Sequence, residues 1–223
     1  KQPDIDMTPT PKLSLGLLLT AAAGFVDVVG FIELGGHFTS FMSGNITQLG
    51  DALALGAWPV ARITASLVAL FLLGSIAGSM LALLGGSRWG SAAVTGFVVA
   101  SFIVTLALAF VGFPPNQLML ALAAGAGAQN AILPSTGSVR LGTTFVTGTL
   151  FATGQDLARA LYHLAPPWRW AQHMLVWVSL LLGGLLGGLG YRVLGINVLL
   201  VPGAVYLGFL VAFVVRRPSK VVP

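Results

Sequence analysis

Apolar and polar positions are grouped into blocks along this chain. Apolar stretches of about twenty residues, the length that a helix needs to cross a bilayer, are separated by shorter stretches rich in glycine, proline and polar residues. Trp58-Pro59 and Phe113-Pro114-Pro115 lie at two of the boundaries, where interfacial anchors and helix ends are expected. The pattern predicts segments A to D at 13–34, 37–57, 59–84 and 89–111, and segments A′ to D′ at 118–133, 143–164, 171–189 and 198–215.

Segments B and B′ are the most polar, and they share a motif. In both, a run of threonine and phenylalanine leads to a hydroxyl residue, a glycine, a polar residue and a helical stretch. Aligning Gly24 with Gly127 pairs Asp27 with Asn130. Aligning Gly44 with Gly148 pairs Phe41 with Phe145, Ser43 with Thr147, Asn45 with Thr149 and Gly50 with Gly154. The pattern therefore predicts two tandem repeats, residues 1–112 and 113–223.

The repeats allow two topologies for an all-α polytopic membrane protein. If B and B′ enter the membrane and return, each repeat crosses three times, the repeats are inverted and six helices span the membrane. If B and B′ cross as an extended run plus a half-helix, there are eight spans and parallel repeats. We favour six spans, because inversion brings the starts of two half-helices, at about 46–55 and 150–161, together near the middle of the membrane.

Composition supports the membrane class. Hydrophobic residues make up 56% of the 223 positions and charged residues 8%, whereas soluble domains carry about 25% charged residues. The eleven Lys and Arg are spread over segment ends, which indicates orientation by the positive-inside rule and not nucleic-acid binding. With a cytoplasmic N-terminus, six spans put nine of them inside and eight spans put eight inside. Both topologies obey the rule, and both leave the termini in the cytoplasm.

The starts of the two half-helices form the first candidate site. Ser, Thr and Asn are good helix N-caps, and a helix that begins inside the bilayer points unpaired N–H groups and a partial positive charge ahead of it. Two such ends favour an anion or the carbonyl end of a neutral solute. The alternative is that small residues simply allow close helix packing. The predicted substrate-binding residues are Ser43, Gly44, Asn45, Gln129, Asn130, Thr147, Gly148 and Thr149.

Asp27 is the second candidate. A carboxylate in the middle of an apolar helix costs roughly 2.5–3.5 kcal/mol on insertion scales, so it must face a cavity or a partner. It could bind a coupling proton or cation, with Asn130 as its neutral counterpart. The alternative is a structural hydrogen bond from Asp27 to the backbone of segment B.

Other polar residues give weaker signals. Arg159 follows Asp156 by three positions, which predicts an ion pair along one helix. The chain has no cysteine and no His/Glu cluster at ligand spacing, so we expect no metal centre and no cofactor. There is no nucleophile elbow, phosphate-binding loop or dinucleotide fingerprint, so we do not expect an enzyme. Small-residue faces predict close packing, either between the halves or in a homodimer, at Gly74, Gly78, Gly183 and Gly187.

Four motifs in this order resemble the YoaK-like family of small bacterial inner-membrane proteins. They are 24–27 (Gly-Phe-Val-Asp), 42–45 (Met-Ser-Gly-Asn), 127–131 (Gly-Ala-Gln-Asn-Ala) and 143–149 (Thr-Thr-Phe-Val-Thr-Gly-Thr). Ser43 stands where threonine is expected in the family's turn, and it keeps the hydroxyl. The resemblance implies roughly six spans of bilayer length and supplies no substrate, because that family has no assigned function. The extended run before a half-helix also resembles carriers of the sulfate-permease type, by architecture alone.

These observations favour a small-solute transporter. The solute, a small anion or a carboxylate-bearing compound, would bind at mid-membrane between the starts of the B and B′ helices, with coupling through Asp27. A passive channel for a small neutral or anionic solute is the second hypothesis. A membrane protein that binds lipid or a protein partner without transport is the third.

Overall fold

The computed structural model describes residues 10–133 and 146–215. Within these ranges the chain is helical and contains no strand, as expected for a helical membrane protein. The helices are α1 (Thr10–Glu33), α2 (Met42–Ala54), α3 (Trp58–Val111), α4 (Pro115–Gln129), α5 (Val146–Leu161), α6 (Arg169–Leu194), a short 3₁₀ helix (Gly195–Leu199) and α7 (Leu200–Val215).

Four helical runs in the described ranges are long and apolar enough to cross a membrane. They are Pro11–Glu33, Trp58–Ser87, Trp89–Val111 and Arg169–Val215. The last run holds 47 residues, more than twice the roughly 20 that one span needs, and it contains both α6 and α7. The shorter helices are not among these runs: α2 has 13 residues, α4 has 15 and α5 has 16. These elements agree with predicted segments A, C, D, C′ and D′.

Two glycines interrupt the long helical runs with the same unusual backbone conformation. Gly86 has φ 56° and ψ −157° and divides α3 into a first arm (Trp58–Ser87) and a second arm (Trp89–Val111). Gly195 has φ 57° and ψ −144° and ends α6. This combination is accessible almost only to glycine, because a Cβ would clash with the backbone. The chain therefore changes direction between C and D and again between C′ and D′.

Helices α1 and α6 approach each other closely at glycines. A Cβ on Gly24 would overlap the backbone carbonyl of Leu180, and a Cβ on Gly183 would overlap the carbonyl of Ala21. A Cβ on Gly187 would press against the backbone of Phe25. The absence of a side chain at these positions lets the two backbones touch, which maximises van der Waals contact where water cannot drive association.

An equivalent set of glycine contacts joins α4 to the first arm of α3. A Cβ on Gly127 would overlap the carbonyl of Phe71, and a Cβ on Gly74 would overlap the carbonyl of Ala124. Gly78 likewise faces the backbone of Ala128. Pairing Gly24 with Gly127 and Gly74 with Gly183 makes each contact in one interface the counterpart of a contact in the other. The four small-residue positions predicted from sequence therefore pack against neighbouring helices of the same chain.

Segments D and D′ run in opposite directions where they meet. On the second arm of α3, Phe102 lies opposite Gly203 and Tyr206 of α7, with the rings of Phe102 and Tyr206 centred 5.6 Å apart. Earlier on that arm, Gly96 lies opposite Leu210. Because positions increase along one helix as they decrease along the other, the two helices are antiparallel.

The buried core lies where these helices meet. Its fully buried side chains include Leu19 and Val29 of α1, Leu67 and Val98 of α3, and Leu122 of α4. Large apolar side chains such as Leu72, Phe110 and Leu182 point outward and are more than half exposed. This outer surface is what a helical bundle presents to lipid.

Candidate functional site

The link between α1 and α2 is short and carries most of the site's polar groups. Helix α1 ends at Glu33, and Gly35 and Gly36 follow with φ of 63° and 109°. These left-handed conformations favour glycine and turn the chain back towards α1. The non-helical residues 37–41 then lie beside the middle of α1 before α2 begins.

The carboxylate of Asp27 holds this linking segment. Its Oδ1 accepts hydrogen bonds from the hydroxyl of Thr39 at 2.8 Å and from the backbone N–H of Ser40 at 2.6 Å, and its Oδ2 accepts one from the hydroxyl of Ser40 at 2.6 Å. No Lys, Arg or His of residues 10–133 or 146–215 forms an ion pair with it. The structural hydrogen bond that the sequence allowed for Asp27 is therefore present.

Asn45 also binds the linking segment, and it does so from within α2 and not as the N-cap of that helix. Its side-chain oxygen accepts the N–H of Phe38 at 3.0 Å, and its side-chain N–H₂ donates to the carbonyl of Phe38 at 2.7 Å. The amide is fully buried. Helix α2 begins at Met42, several residues before the predicted start, and the residue before it is Phe41 with no side-chain cap.

Ser43 and Gly44 lie in the first turn of α2 and not ahead of it. Ser43 is exposed, and its carbonyl accepts the hydroxyl of Thr47 at 3.0 Å. A Cβ on Gly44 would press into the rings of Phe38 and Phe41. Gly44 therefore makes room for this aromatic pair, whose ring centres are 5.2 Å apart.

A second polar group joins the same linking segment to α2 and α3. The ring Nδ1 of His37 contacts the side-chain oxygen of Gln48 and lies 3.4 Å from the hydroxyl of Thr64, while Gln48 donates to the carbonyl of Gly36 at 2.8 Å. Glu33 does not pair with His37. Its carboxylate accepts the hydroxyl of Tyr191 at 2.8 Å.

The two amides predicted to bind solute lie at the end of α4. Gln129 is buried, and its side-chain oxygen accepts the hydroxyl of Tyr206 from α7. Asn130 donates to the carbonyl of Ala126 at 3.1 Å. Gln129 also borders a small cavity together with Ser40 and Ser101. The structure therefore places Gln129 next to the segment that Asp27 holds, and joins it to α7.

A cavity of about 690 Å³ lies between α1, the segment before α2, the start of α5 and α6. Two predicted site residues line it, Asp27 and Thr147. Ser40 and Phe41, just before α2, share the cavity with Thr147, in the first turn of α5. The other described lining residues are apolar: Gly24, Val28, Phe31, Phe38, Leu150, Trp177, Leu180, Leu181, Gly184 and Leu185.

The remaining predicted site residues are not among those that line this cavity. They are Ser43, Gly44, Asn45, Gln129, Asn130, Gly148 and Thr149. Thr149 is buried and its carbonyl accepts the hydroxyl of Thr153 at 2.9 Å, whereas Gly148 is exposed. Residues 143–145, the first part of predicted segment B′, lie outside the described residues. The sequence missed Ser40 and the four aromatic residues of the cavity, because no local pattern indicates which apolar side chains border a space.

A buried ion pair between α5 and α6 was also missed. Asp156 pairs with Arg169, whose Nε and Nη2 donate at 2.8 and 2.5 Å, and His173 Nε2 lies 3.3 Å from the same carboxylate. All three side chains are buried. Burial raises the pKa of Asp156, and the hydrogen bonds and charge of Arg169 lower that pKa by more, so it lies below its ordinary value.

The predicted pair of Asp156 with Arg159 is therefore wrong. Asp156 pairs with Arg169 of α6, whereas the side chain of Arg159 is exposed. The spacing of Arg169 and His173, four residues apart on one face of a helix, is a signal that could have indicated this cluster. Nδ1 of His173 has no hydrogen-bond partner in the part of the chain that the structure describes.

Comparison with known proteins places these features in a family. The family model described as "Protein of unknown function (DUF1275)" matches residues 15–213. The chain belongs to the DUF1275 family. It is 32% identical over 156 residues to the UPF0700 transmembrane protein YoaK of Bacillus subtilis, covering 65% of this chain and 67% of that protein. It is 30% identical over 195 residues to the UPF0700 transmembrane protein RA0705 of Rhizobium meliloti, covering 86% and 83%.

Membership in the DUF1275 family confirms the YoaK-like resemblance and the membrane class. The matched region includes most of α1, all of α2 to α6 and nearly all of α7, so both predicted repeats contribute to the shared sequence. No solved structure matches the chain.

Proposed function

We propose that this DUF1275 protein is a small-solute carrier of the bacterial inner membrane. The observation that carries the proposal is that Ser40, just before α2, and Thr147, at the start of α5, line one cavity together with the half-buried Asp27. Secondary transporters place their sites where short or broken helices from two repeats meet near the membrane midplane.

The repeats 1–112 and 113–223 fit this proposal as an inverted pair. The equivalent glycine contacts, the shared conformation of Gly86 and Gly195, and the antiparallel course of the second arm of α3 and α7 all support it. Parallel repeats would make the two D segments run in the same direction. Six spans with cytoplasmic termini would leave Arg62 and Arg192 outside and the other nine Lys and Arg inside.

Asp27 is the proposed coupling site. As a carboxylate it accepts three hydrogen bonds that hold residues 39 and 40 against α1. Binding a proton or a cation would weaken those bonds, because charge on the acceptor is what makes them strong. The segment before α2 would then be able to move, which links the charge state of Asp27 to the shape of the cavity.

The expectation of an anionic solute has less support than the carrier itself. It depended on the unpaired N–H groups at two helix starts. At the start of α2, the N–H of Ser40 already donates to the carboxylate of Asp27. No basic side chain is among the described residues that line the cavity. We therefore propose a carrier in which Asp27, and not the helix end, sets the charge of the site.

Labelling of one introduced cysteine tests the proposal without knowledge of the solute. The chain has no cysteine, so Thr147→Cys would be the only reactive thiol. A carrier exposes its site to each side in turn, so a membrane-impermeant maleimide should modify Thr147→Cys in both right-side-out and inside-out vesicles. Leu182→Cys, which faces outward from α6 and does not line the cavity, is the control and should resist modification from either side.

Two results would oppose the carrier. Modification of Thr147→Cys from one side only would make the cavity a blind pocket. Modification from both sides together with a steady ionic conductance in planar bilayers would favour the channel hypothesis, since a carrier does not hold an open pore.

A further inference from the structure

The cavity beside Asp27 has a composition that selects for one chemical class of ligand. Its volume of about 690 Å³ lies within the roughly 300–1,000 Å³ that is typical of small-molecule sites. One wall carries the carboxylate of Asp27 and the hydroxyl residues Ser40 and Thr147. The other described lining residues are apolar or aromatic, so the ligand must combine an apolar body with a group that a carboxylate recognises.

The negative charge of Asp27 determines whether the cavity favours a cationic or an anionic group on the ligand. Asp27 accepts its three hydrogen bonds from neutral donors and has no basic partner in the described ranges. A carboxylate removed from water without a counter-ion is costly. An anion entering the cavity would add repulsion to that cost, whereas a cation would offset the charge of the carboxylate.

The aromatic side chains that line the cavity also favour a positively charged ligand. Four of them line the cavity, namely Phe31, Phe38, Phe41 and Trp177. Phe38 lies at the centre of a cluster, with ring centres 5.2 Å from both Phe31 and Phe41. Aromatic rings attract cations through their quadrupoles, and aromatic cages are a common means of binding organic ammonium groups.

We propose that this cavity binds an organic cation with an apolar body, with its positive charge against Asp27. The inference rests on the proposed carrier function and names its class of cargo. Because a carboxylate that has taken up a proton no longer attracts a cation, cargo and coupling proton would compete for Asp27. Transport would then be an exchange of one for the other.

A pair of ions that share one shape and differ in sign provides the test. Tetraphenylphosphonium and tetraphenylborate both carry four phenyl rings on one central atom, so their binding differs chiefly through charge. Binding of each radiolabelled ion to the purified full-length protein in detergent would be measured by equilibrium dialysis. We expect saturable, one-to-one binding of tetraphenylphosphonium, and binding of tetraphenylborate weaker by about tenfold or more.

Two variants and two matched controls locate the site. Asp27→Asn should weaken tetraphenylphosphonium binding by about tenfold, and Asp51→Asn, the same charge change at an exposed position of α2, should not. Leu181→Trp fills the cavity from a half-exposed position and should also weaken binding, while Leu182→Trp, next to it and outside the cavity, should not. The Leu181 variant keeps the test valid even if Asp27→Asn fails to fold.

Several results would overturn the proposal. These are equal binding of the two ions, unchanged binding in a folded Asp27→Asn protein, and unchanged binding in Leu181→Trp. Phospholipid that co-purifies with wild type and is lost in Leu181→Trp would make the cavity a lipid site instead. A dimer that dissociates in Leu181→Trp would make it an interface. If tetraphenylphosphonium fails to bind while Thr147→Cys is still modified from both sides, the result contradicts a cationic cargo and leaves the proposed carrier function supported.

Discussion

Asp27, in the middle of α1, accepts the backbone N–H of Ser40 at 2.6 Å. A half-buried carboxylate thus satisfies a backbone group in the non-helical segment that precedes α2. Non-helical backbone persists at membrane depth only where protein or a water-filled cavity satisfies it. Asp27, whose charge makes α1 costly to insert into a membrane, is therefore the residue that allows the next segment to be non-helical.

Thr39→Val tests the contribution of this link to stability. Valine keeps the methyl group and volume of threonine but removes the hydroxyl that donates to Asp27. We expect a loss of about 1–2 kcal/mol, because a hydrogen bond to a charged acceptor is lost inside the protein. Thr47→Val, at an exposed position of α2, should cost less than about 0.5 kcal/mol. Thermal unfolding in detergent measures both effects. Equal effects would show that the hydrogen bond from Thr39 to Asp27 adds no stability.

Asn45→Ala should be more damaging. It leaves both the N–H and the carbonyl of Phe38 without the partner they have now, and each is a backbone group of the linking segment. Loss of buried partners costs about 1–3 kcal/mol for each group left unsatisfied. Ser43→Ala, two residues earlier and exposed, is the control. If the two variants unfold at the same temperature, water replaces the Asn45 amide without cost.

Gly183→Ala and Gly74→Ala should destabilise the protein to similar extents. Each adds a Cβ that meets a backbone carbonyl, at Ala21 and Ala124, and overpacking of this kind typically costs about 1–3 kcal/mol. Gly208→Ala in α7 meets no atom within 4 Å and should be neutral or slightly stabilising, since alanine favours helices. A large effect at one interface glycine and none at the other would argue against equivalent interfaces in the two halves.

Asp156→Asn should destabilise the α5–α6 contact. It leaves the buried guanidinium of Arg169 without its counter-charge, which typically costs about 3–5 kcal/mol. Arg159→Gln removes the predicted partner, which is exposed, and should change stability by less than about 0.5 kcal/mol. Chemical unfolding followed by tryptophan fluorescence would compare the two variants. A larger effect of Arg159→Gln would support the Asp156–Arg159 pair that the sequence predicted.

The same pair predicts an acid-sensitive stability. The pKa of Asp156 is lower in the folded protein than in the unfolded chain. The stabilisation that Asp156 provides is therefore complete at a pH above its pKa in the unfolded chain. It is lost as the pH falls through its pKa in the folded protein. The unfolding temperature of wild type should decrease as the pH is lowered below about 4, and that of Asp156→Asn should decrease less. Parallel curves for the two proteins would contradict this assignment.

Sequence reasoning located most of the spanning helices because their signal is local. The length of the apolar stretches predicted α1, both arms of α3, and α6, with gaps between the arms and after α6. The close contacts at Gly74 and Gly183 were also expected, since small residues at helical spacing permit them. Their partners on α4 and α1 were not, because spacing along one helix does not identify the helix opposite.

The polar contacts were harder to predict for the same reason. Asn45 has the chemistry of a helix cap, but its amide turns back to Phe38, so α2 begins earlier than local rules suggest. Asp156 has a basic neighbour one turn away, yet it pairs with Arg169 after the chain has reversed. In both cases a buried partner that is distant in sequence prevails over an exposed local one, because burial makes each satisfied polar group worth more.

The inverted relation between the two halves is the central claim, and the sidedness of two introduced cysteines tests it most directly. Ser87, next to Gly86, and Asn197, just after Gly195, lie at the equivalent C–D and C′–D′ turns, and both are exposed. Inverted repeats put these turns on opposite faces of the membrane. An impermeant maleimide applied to right-side-out vesicles should label Asn197→Cys and not Ser87→Cys, and inside-out vesicles should give the reverse. Labelling of both from the same face would mean parallel repeats and would contradict the account.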